Sequence, residues 1–357
     1  METFSASYRR MIDAGPSNAA SWTFFVLLWP LALVYRAVVS LRAACYRLGL
    51  CRVYRAAVPV ISVGNLTVGG TGKTPVVDLL AKKLLAKGVR VAVVSRGYGG
   101  RFRGEAGCVA AGDGALQMSP QDAGDEPFLL AARNPGLAVY VARKRKLGVR
   151  AAERAGARVV ILDDGFQHLA VHRDVNIALL DARAPFGNGR LLPAGPLREA
   201  PAALRRADLA IMTHAGAASA AVPFAGPLLR CRPRLADALT TLDGTEVPWT
   251  ALSGKSVLAF AGIARPEDFF RALQARGVVP TATLAFDDHQ DYSGEQLNRL
   301  VQSCDNVQLS VTTEKDAVKL RAAGFSRPCL VAPLVLEVDE PARLDALLTE
   351  ILDRMKS

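Results

Sequence analysis

The chain has 357 residues, of which 50% are hydrophobic and 22% are charged. This composition excludes an intrinsically disordered chain, and the length predicts about two domains with hydrophobic cores of their own. Lysine and arginine exceed aspartate and glutamate by 11, which favours an anionic partner such as phosphate, a membrane surface or nucleic acid; an ordinary basic surface is the alternative. None of the six cysteines forms a C-x-x-C pair. The sequence therefore predicts reduced thiols, no zinc site and a cytosolic location for the body of the protein.

The N-terminal segment differs in character from the rest of the chain. Residues 14–35 carry no charge, but the strongly apolar part runs only from Thr23 to Tyr35 and contains Pro30. A membrane-spanning helix needs about 20 apolar residues, so this segment is of borderline length. On a helix continued to Leu48, arginines lie opposite an apolar face, which is typical of helices in a membrane interface. A buried helix and a signal peptide are the alternatives.

Short apolar runs alternate with helical patterns from Val58 onward, which predicts a mainly parallel sheet covered by helices on both faces. The predicted strands of the first part are Val58–Val63, Val89–Ser95, Ala157–Leu162, Val175–Leu180 and Ala207–Met212. A proline-containing segment follows, and a second α/β pattern begins at Ser256. We therefore expect an α/β fold with four parts: an N-terminal membrane-docking helix in 1–50, a core domain in 51–230, a linker or hairpin in 231–255 and a smaller C-terminal α/β domain in 256–357.

A glycine-rich loop lies between the first predicted strand and the helix that follows it. Its sequence from Gly64 to Pro75 ends in Gly-Lys-Thr-Pro, and a loop of this kind binds phosphate through backbone N–H groups at a helix N-terminus. Lys73 is expected to reach the β- and γ-phosphates of ATP, and Thr74 to bind Mg²⁺. Thr67 occupies a position where the general P-loop pattern has glycine. The predicted nucleotide-binding residues are Thr67, Val68, Gly69, Gly70, Thr71, Gly72, Lys73 and Thr74. The core domain is thus predicted to be a P-loop domain.

Two aspartates follow an apolar strand pattern later in the chain. Asp163 and Asp164 come directly after Val159–Leu162. Strand ends of a parallel sheet meet at one edge, so these carboxylates are expected beside the P-loop, where they could hold Mg²⁺ directly or through water. Two acids that cap a turn are the alternative interpretation.

These motifs, with several others in the same order, resemble the tetraacyldisaccharide 4′-kinases of lipid A synthesis over nearly the whole chain. The further matching segments are Ser95–Gly100, Gly124–Pro127, Arg143–Gly148, Asp163–His168, Phe186–Leu197, Phe286–His289 and Thr312–Lys319. The resemblance implies a P-loop kinase that uses ATP to phosphorylate the 4′-hydroxyl of a lipid A disaccharide precursor. It also implies a membrane-associated enzyme at the cytoplasmic face of the inner membrane, with no protein partner.

The resemblance assigns roles to residues that composition and spacing leave open. It implies that Asp125 is the general base and that His289 pairs with it, whereas His168 is a competing histidine nearer to the aspartates in sequence. His289 lies in the expected C-terminal domain, so we expect closure of the two domains to complete the site. Arg96 and Arg143 are weaker candidates for binding a phosphate of the lipid.

Two other functions are compatible with parts of the sequence. A P-loop ATPase or GTPase switch is the main alternative, but Thr313–Asp316 lacks the spacing of a guanine-specificity motif and Val68 replaces the lysine common in partitioning ATPases. Nucleic-acid binding would use the positive charge, but aromatic residues make up only 6% and no stacking motif is present.

Overall fold

The computed structural model describes residues 4–215, 222–288 and 291–353. His289 therefore lies outside the described residues. The helices in these ranges are α1 (Phe4–Ala14), α2 (Ala19–Arg47), α3 (Lys73–Ala86), α4 (Pro120–Ala123), α5 (Asp125–Arg133), α6 (Arg145–Arg154), α7 (Pro266–Ala275), α8 (Gly294–Cys304), α9 (Glu314–Ala322) and α10 (Pro341–Asp353). The strands are β1 (Val60–Asn65), β2 (Val91–Ser95), β3 (Gly107–Ala111), β4 (Ala138–Val141), β5 (Val159–Asp163), β6 (Val175–Asp181), β7 (Leu209–Thr213), β8 (Leu228–Leu235), β9 (Leu239–Thr241), β10 (Glu246–Val247), β11 (Val257–Ala261), β12 (Ala282–Ala285), β13 (Leu309–Thr313), β14 (Cys329–Ala332) and β15 (Leu334–Val338).

The larger sheet has nine strands in the order β15-β8-β7-β6-β1-β5-β2-β4-β3. Its seven central strands are parallel, while the outer strands β15 and β3 are antiparallel to their neighbours. All residues of β1, β2, β5 and β7 are buried, as expected for strands with helices on both faces. The mainly parallel sheet predicted from the sequence is confirmed. Since β1 and β5 are neighbours, the P-loop and the two aspartates follow adjacent strands.

The smaller sheet has six strands in the order β10-β9-β14-β13-β11-β12. Strands β12, β11, β13 and β14 are parallel, and β9 joins β14 in the antiparallel direction. Phe260, Phe286 and Tyr292 form a cluster of edge-on rings in its core. The second α/β unit expected from the sequence is therefore present.

The chain passes between the sheets at two places, which differ from the limits expected from the sequence. In the segment expected to be a linker, β8 belongs to the larger sheet and β9 and β10 belong to the smaller one. The C-terminal segment, expected in the second unit, returns to the larger sheet, where β15 pairs with β8. Helix α10 follows it there, because Leu344 and Leu348 are buried in the core that contains α3. This return depends on pairing between residues about 100 positions apart, which local patterns do not encode.

Helix α2 is longer than the sequence indicated and begins at a capping box formed by Asn18 and Ser21. Its 29 residues include Pro30. Among the described residues it is the one helix with the length and composition to cross a membrane; its apolar window has a mean hydropathy of 2.0 and is 6% buried. Most of its apolar side chains, including Leu27 and Val34, are exposed. An ordinary buried core helix is therefore excluded for α2.

Candidate active site

The P-loop connects β1 to α3 and leaves the start of that helix open to an anion. Gly72 is the N-cap of α3 and no side chain caps the helix, so its first backbone N–H groups are available to donate hydrogen bonds to an anion such as phosphate. Gly69 and Gly70 form an exposed tip with open space where a side chain would lie. The hydroxyl of Thr213, at the end of β7, donates to the carbonyl of Thr71 at 2.9 Å. The loop is therefore held at its base and open at its tip.

The non-glycine start of the loop is explained by its neighbour in the fold. Thr67 is buried and forms a β-bridge with Leu197. The N–H group of Val68 donates to the carbonyl of Pro196 at 2.8 Å. Because the segment at 196–197 holds this part of the loop in an extended conformation, a side chain fits where other P-loops have glycine.

Lys73 points toward the acidic residues that follow β5. Its Nζ atom lies 3.4 Å from Oδ1 of Asn65 and 3.7 Å from Oδ1 of Asp164. Asp164 also accepts two hydrogen bonds from Nη1 of Arg198, at 2.8 and 2.9 Å. Burial alone would raise the pKa of Asp164, but Lys73 and Arg198 hold this pKa below its usual value. Asp164 is thus an ionised carboxylate that orients the two cations of the site.

Asp163 has a different environment, although it is the next residue. Its Oδ2 atom accepts a hydrogen bond from the hydroxyl of Ser95 at 2.9 Å, while Oδ1 is buried without a hydrogen-bond partner. Burial, followed by the charge of Glu126, raises the pKa of Asp163 to about 6. A buried carboxylate oxygen without a partner is costly, and an oxygen of this kind could hold a metal ion. The hydroxyl of Thr74 donates to Oε2 of Glu126 at 3.0 Å. The carboxylate of Glu126 therefore lies beside Thr74 and close enough to Asp163 to affect its pKa.

Asp125 lies at the start of α5, directly before Glu126. The turn before α5 packs closely on the segment Ser95–Gly100: a Cβ atom on Gly100 would lie 2.3 Å from the carbonyl oxygen of Asp122. Glycine at that position therefore lets two of the sequence motifs meet. Nζ of Lys319, in α9, lies 3.1 Å from Oδ2 of Asp125. The part of the chain that carries the smaller sheet thus already contacts Asp125 in this conformation.

The arginines of the matching segments differ in their exposure. Arg96 and Arg143 are both exposed. Arg145, which belongs to the same basic run 143–146, is buried and donates to the backbone carbonyl of Asp163 at 2.9 Å. Burial lowers the pKa of Arg145 to about 10, so its guanidinium remains charged at neutral pH. Burial and the nearby arginines, Arg145 first among them, lower the pKa of His168 to about 4.

The structure therefore adds residues that sequence reasoning missed. They are Asn65, Ser95, Glu126, Arg198, Thr213 and Lys319. All except Thr213 and Arg198 lie in segments that the sequence analysis quoted as motifs, so proximity to a motif was the available signal. Arg198 directly follows the run Phe186–Leu197, and Thr213 directly follows the predicted strand Ala207–Met212.

Comparison with known proteins identifies the family to which these motifs belong. A family model described as tetraacyldisaccharide-1-P 4′-kinase matches residues 24–353. The chain is 47% identical to a tetraacyldisaccharide 4′-kinase of Syntrophotalea carbinolica, with 100% of both chains covered. It is 46% identical to the corresponding protein of Geobacter metallireducens, over 91% of this chain and 98% of the relative.

A solved structure supports the same assignment at the level of the fold. The structure is described as the "apo" form of LpxK from Aquifex aeolicus in complex with ATP. It superimposes with a TM-score of 0.79 at 33% identity, covering 92% of this chain and 99% of the other. With the family model and the full-length relatives, this agreement establishes that the chain belongs to the tetraacyldisaccharide-1-P 4′-kinase family.

Proposed function

We propose that this protein is a lipid kinase that transfers the γ-phosphoryl group of ATP to the 4′-hydroxyl of tetraacyldisaccharide 1-phosphate in lipid A biosynthesis. Relatives covering its full length carry that activity in their names, and the related solved structure holds ATP. The observation that carries the proposal is the convergence of Lys73, Asp163 and Glu126 beside the open N-terminus of α3. A P-loop switch is the rejected alternative, because the whole chain, including the smaller sheet, matches kinases.

The P-loop binds the triphosphate in this mechanism. Backbone N–H groups of residues 69–74, at the open tip of the loop and the N-terminus of α3, would surround the phosphates, and Lys73 would neutralise the β- and γ-phosphate oxygens. Asp164 and Asn65 keep the ammonium group of Lys73 at the mouth of the loop. Since phosphoryl transfer depends mainly on alignment and charge neutralisation, these contacts supply much of what the reaction needs.

The same site fits a magnesium ion. Thr74 and Asp163 are the residues that would hold it, with Asp164 nearby, because the unpartnered Oδ1 atom of Asp163 offers a ligand oxygen of the kind that Mg²⁺ prefers. The described residues contain no cluster of three histidine, cysteine or acidic ligands, in keeping with an ion that takes its other ligands from phosphate and water. When bound there, Mg²⁺ would supply positive charge that offsets the negative charge of the transferred phosphoryl group.

A sugar hydroxyl needs a base to accept its proton at neutral pH. We assign this role to Asp125, which adjoins Glu126 and through it the P-loop residue Thr74. His289, outside the described residues, is proposed as its partner on the basis of the family resemblance. Arg96 and Arg143 are proposed to bind the 1-phosphate; their exposure leaves them accessible to a ligand.

The lipid substrate is proposed to reach the site along α2 at the cytoplasmic face of the inner membrane, where ATP is available. The helix presents exposed apolar side chains to its surroundings. It also touches the active-site segments: the Tyr35 hydroxyl donates to the carbonyl of Arg198 at 3.1 Å, and Arg42 donates to the carbonyl of Gln167 at 3.1 Å. Acyl chains held in a membrane beside α2 would therefore lie close to Asp164 and Lys73.

The kinase proposal is tested by measuring transfer of radiolabelled phosphate from ATP to detergent-solubilised tetraacyldisaccharide 1-phosphate. Wild-type protein should phosphorylate the lipid in the presence of Mg²⁺, and Lys73→Ala and Asp125→Ala should each lose about 10²-fold or more in kcat. Transfer that survives Asp125→Ala would remove the proposed base but keep the function. ATP hydrolysis without any transfer to lipid by the wild type would contradict the kinase assignment.

The membrane proposal is tested by co-sedimentation with vesicles of anionic bacterial lipids. Leu27→Glu combined with Val34→Glu should reduce binding, because both side chains are exposed on the apolar part of α2. The control is Ser40→Glu, because it adds a charge on the polar face of α2. Arg36→Glu combined with Ser40→Glu would match the number of added glutamates but is a less clean control. Equal binding by wild type and the double apolar variant would contradict the proposal.

A further inference from the structure

Helices α5 and α9 lie side by side in opposite directions, and an ion pair joins them at each end. At one end, Lys319 of α9 is 3.1 Å from Asp125 of α5. At the other end, Nε of Arg133 in α5 is 3.2 Å from Oε1 of Glu314 in α9. Each charge suits its place, since acidic residues lie at the helix N-termini and basic residues in the last turns. Helix α5 is therefore fixed in both position and rotation against α9.

We propose that Lys319 is a positioning residue for phosphoryl transfer, which holds the carboxylate of Asp125 in the orientation needed to meet the substrate hydroxyl. The proposal rests on the proposed role of Asp125 as the base. Lys319 reaches Asp125 from the part of the chain that forms the smaller sheet. The smaller sheet would therefore help to orient Asp125, a side chain of the P-loop unit. Because Oδ2 of Asp125 lies against the ammonium group of Lys319, rotation of the carboxylate is restricted.

The pair is shielded from solvent to a degree that gives it structural weight. The side chain of Lys319 is 9% exposed and that of Asp125 is 17% exposed. Fully exposed ion pairs are weak because water and salt screen them and both side chains lose conformational freedom. A largely buried pair is screened less, so the attraction between its two charges is stronger than in an exposed pair. Replacement of Lys319 by a neutral residue should therefore weaken the constraint on the orientation of the Asp125 carboxylate.

Helix α9 is itself rigidly attached to the smaller sheet, which makes it suitable as a support. Asp316 is completely buried and accepts hydrogen bonds from the backbone N–H of Gly262 at 3.1 Å and from the hydroxyl of Tyr292 at 2.9 Å. Thr313 caps the helix by accepting from the N–H group of Asp316. Lys319 follows Asp316 by three residues, about one helical turn, so its backbone position is set by these contacts.

The ion pair at the other end of α5 provides a matched control. Arg133 also lies 3.3 Å from Oδ2 of Asp78 and donates to the carbonyl of Leu334 at 2.9 Å. It therefore keeps partners when Glu314 is replaced by the nearly isosteric glutamine, whose side-chain oxygen can still accept from the N–H of Leu334. Glu314→Gln weakens the same helix interface as Lys319→Met but leaves the contact with Asp125 in place.

The experiment compares full-length wild type, Lys319→Met, Lys319→Arg, Glu314→Gln, Asp125→Asn and the double variant Asp125→Asn/Lys319→Met. The assay measures kcat for lipid phosphorylation, KM for ATP and the melting temperature. Lys319→Met should lower kcat about 10- to 10²-fold, as expected for misorientation of a reacting group, with KM for ATP changed less than about threefold. Lys319→Arg should retain part of the activity, and Glu314→Gln nearly all of it. Lys319→Gln supplies the same test should the methionine variant fail to fold.

The double variant separates positioning from a general structural role. If Lys319 acts through Asp125, adding Lys319→Met to Asp125→Asn should cost less than about twofold further in kcat, because coupled residues are not additive. Three outcomes would overturn the inference: an equal loss of kcat from Lys319→Met in both backgrounds, full activity of Lys319→Met, or an equal loss of kcat in Glu314→Gln. In each case, lipid phosphorylation by the wild type would still uphold the proposed function. Failure of the wild type to phosphorylate the lipid would overturn both.

Discussion

Gly64 lies at the end of β1, and replacing it by alanine should disturb the whole catalytic edge of the larger sheet. An ideal Cβ atom at this position would lie 2.7 Å from the backbone nitrogen of Phe166 and 2.8 Å from its Cβ atom. Ordinary contacts begin at 3.4 Å, and the nearest obstacle is backbone rather than a flexible side-chain end. The turn that contains Phe166 must therefore move away from β1. Overpacking of this kind costs about 1–3 kcal/mol of unfolding free energy.

The same movement should affect catalysis, because the displaced turn directly follows Asp163 and Asp164. A displacement on the order of 1 Å in a positioning group can cost about 10² in rate. A shift of the turn by less than about 1 Å should therefore lower kcat by about 10- to 10²-fold. Because Lys73 meets Asp164 at 3.7 Å, the change should also weaken the placement of the P-loop lysine.

The measurements are the unfolding free energy from urea titration in detergent and kcat for lipid phosphorylation. Gly136→Ala is the matched control, since its Cβ atom would meet only Cδ2 of Leu85 at 3.8 Å. That variant should change stability by no more than about 1 kcal/mol, in the stabilising direction if at all. Wild-type stability and kcat in the Gly64→Ala protein would refute the reasoning that β1 at Gly64 and the turn containing Phe166 are too close to admit a Cβ atom.

Three further predictions concern buried groups. Burial raises the pKa of the Cys231 and Cys329 thiols to about 12. Iodoacetamide should therefore label half-buried Cys51 in the native protein, and Cys231 and Cys329 only after unfolding. Mass spectrometry measures the labelling, and equal labelling of all three in the native protein would contradict the prediction. The pKa of His168 is held near 4, below about 6.5 in the unfolded chain, so the unfolded state binds more protons between these values and stability falls as pH drops through that window. His168→Gln should reduce the loss of melting temperature between pH 7 and pH 5, and an unchanged loss would argue against it. Asp316→Ala should lower the unfolding free energy by about 3 kcal/mol or more, measured by urea titration, because several buried donors lose their acceptor, and Asp316→Asn should cost less.

The sequence by itself determined the local parts of the active site. The P-loop is a continuous segment between a strand and a helix, so its glycines, Lys73 and Thr74 could be recognised without any long-range information. The same holds for Asp163 and Asp164, since an apolar run that ends in acids predicts a strand end in a parallel sheet. The apolar and arginine-rich character of α2 was likewise written in composition and periodicity, although the structure shows that the helix starts earlier, at Ala19.

The tertiary structure decided which residues surround those local motifs. Only folding places Arg198 on Asp164 and gives Asp163 and Asp164 different environments. Only pairing of β15 with β8 returns the C-terminus to the larger sheet. Only the packing of α9 against α5 brings Lys319 to Asp125 across 194 positions of sequence. Local sequence specifies backbone conformation and the side of an element that is apolar. Contacts between distant segments depend on how the elements pack, because burial of apolar faces is non-directional and does not by itself select a polar partner.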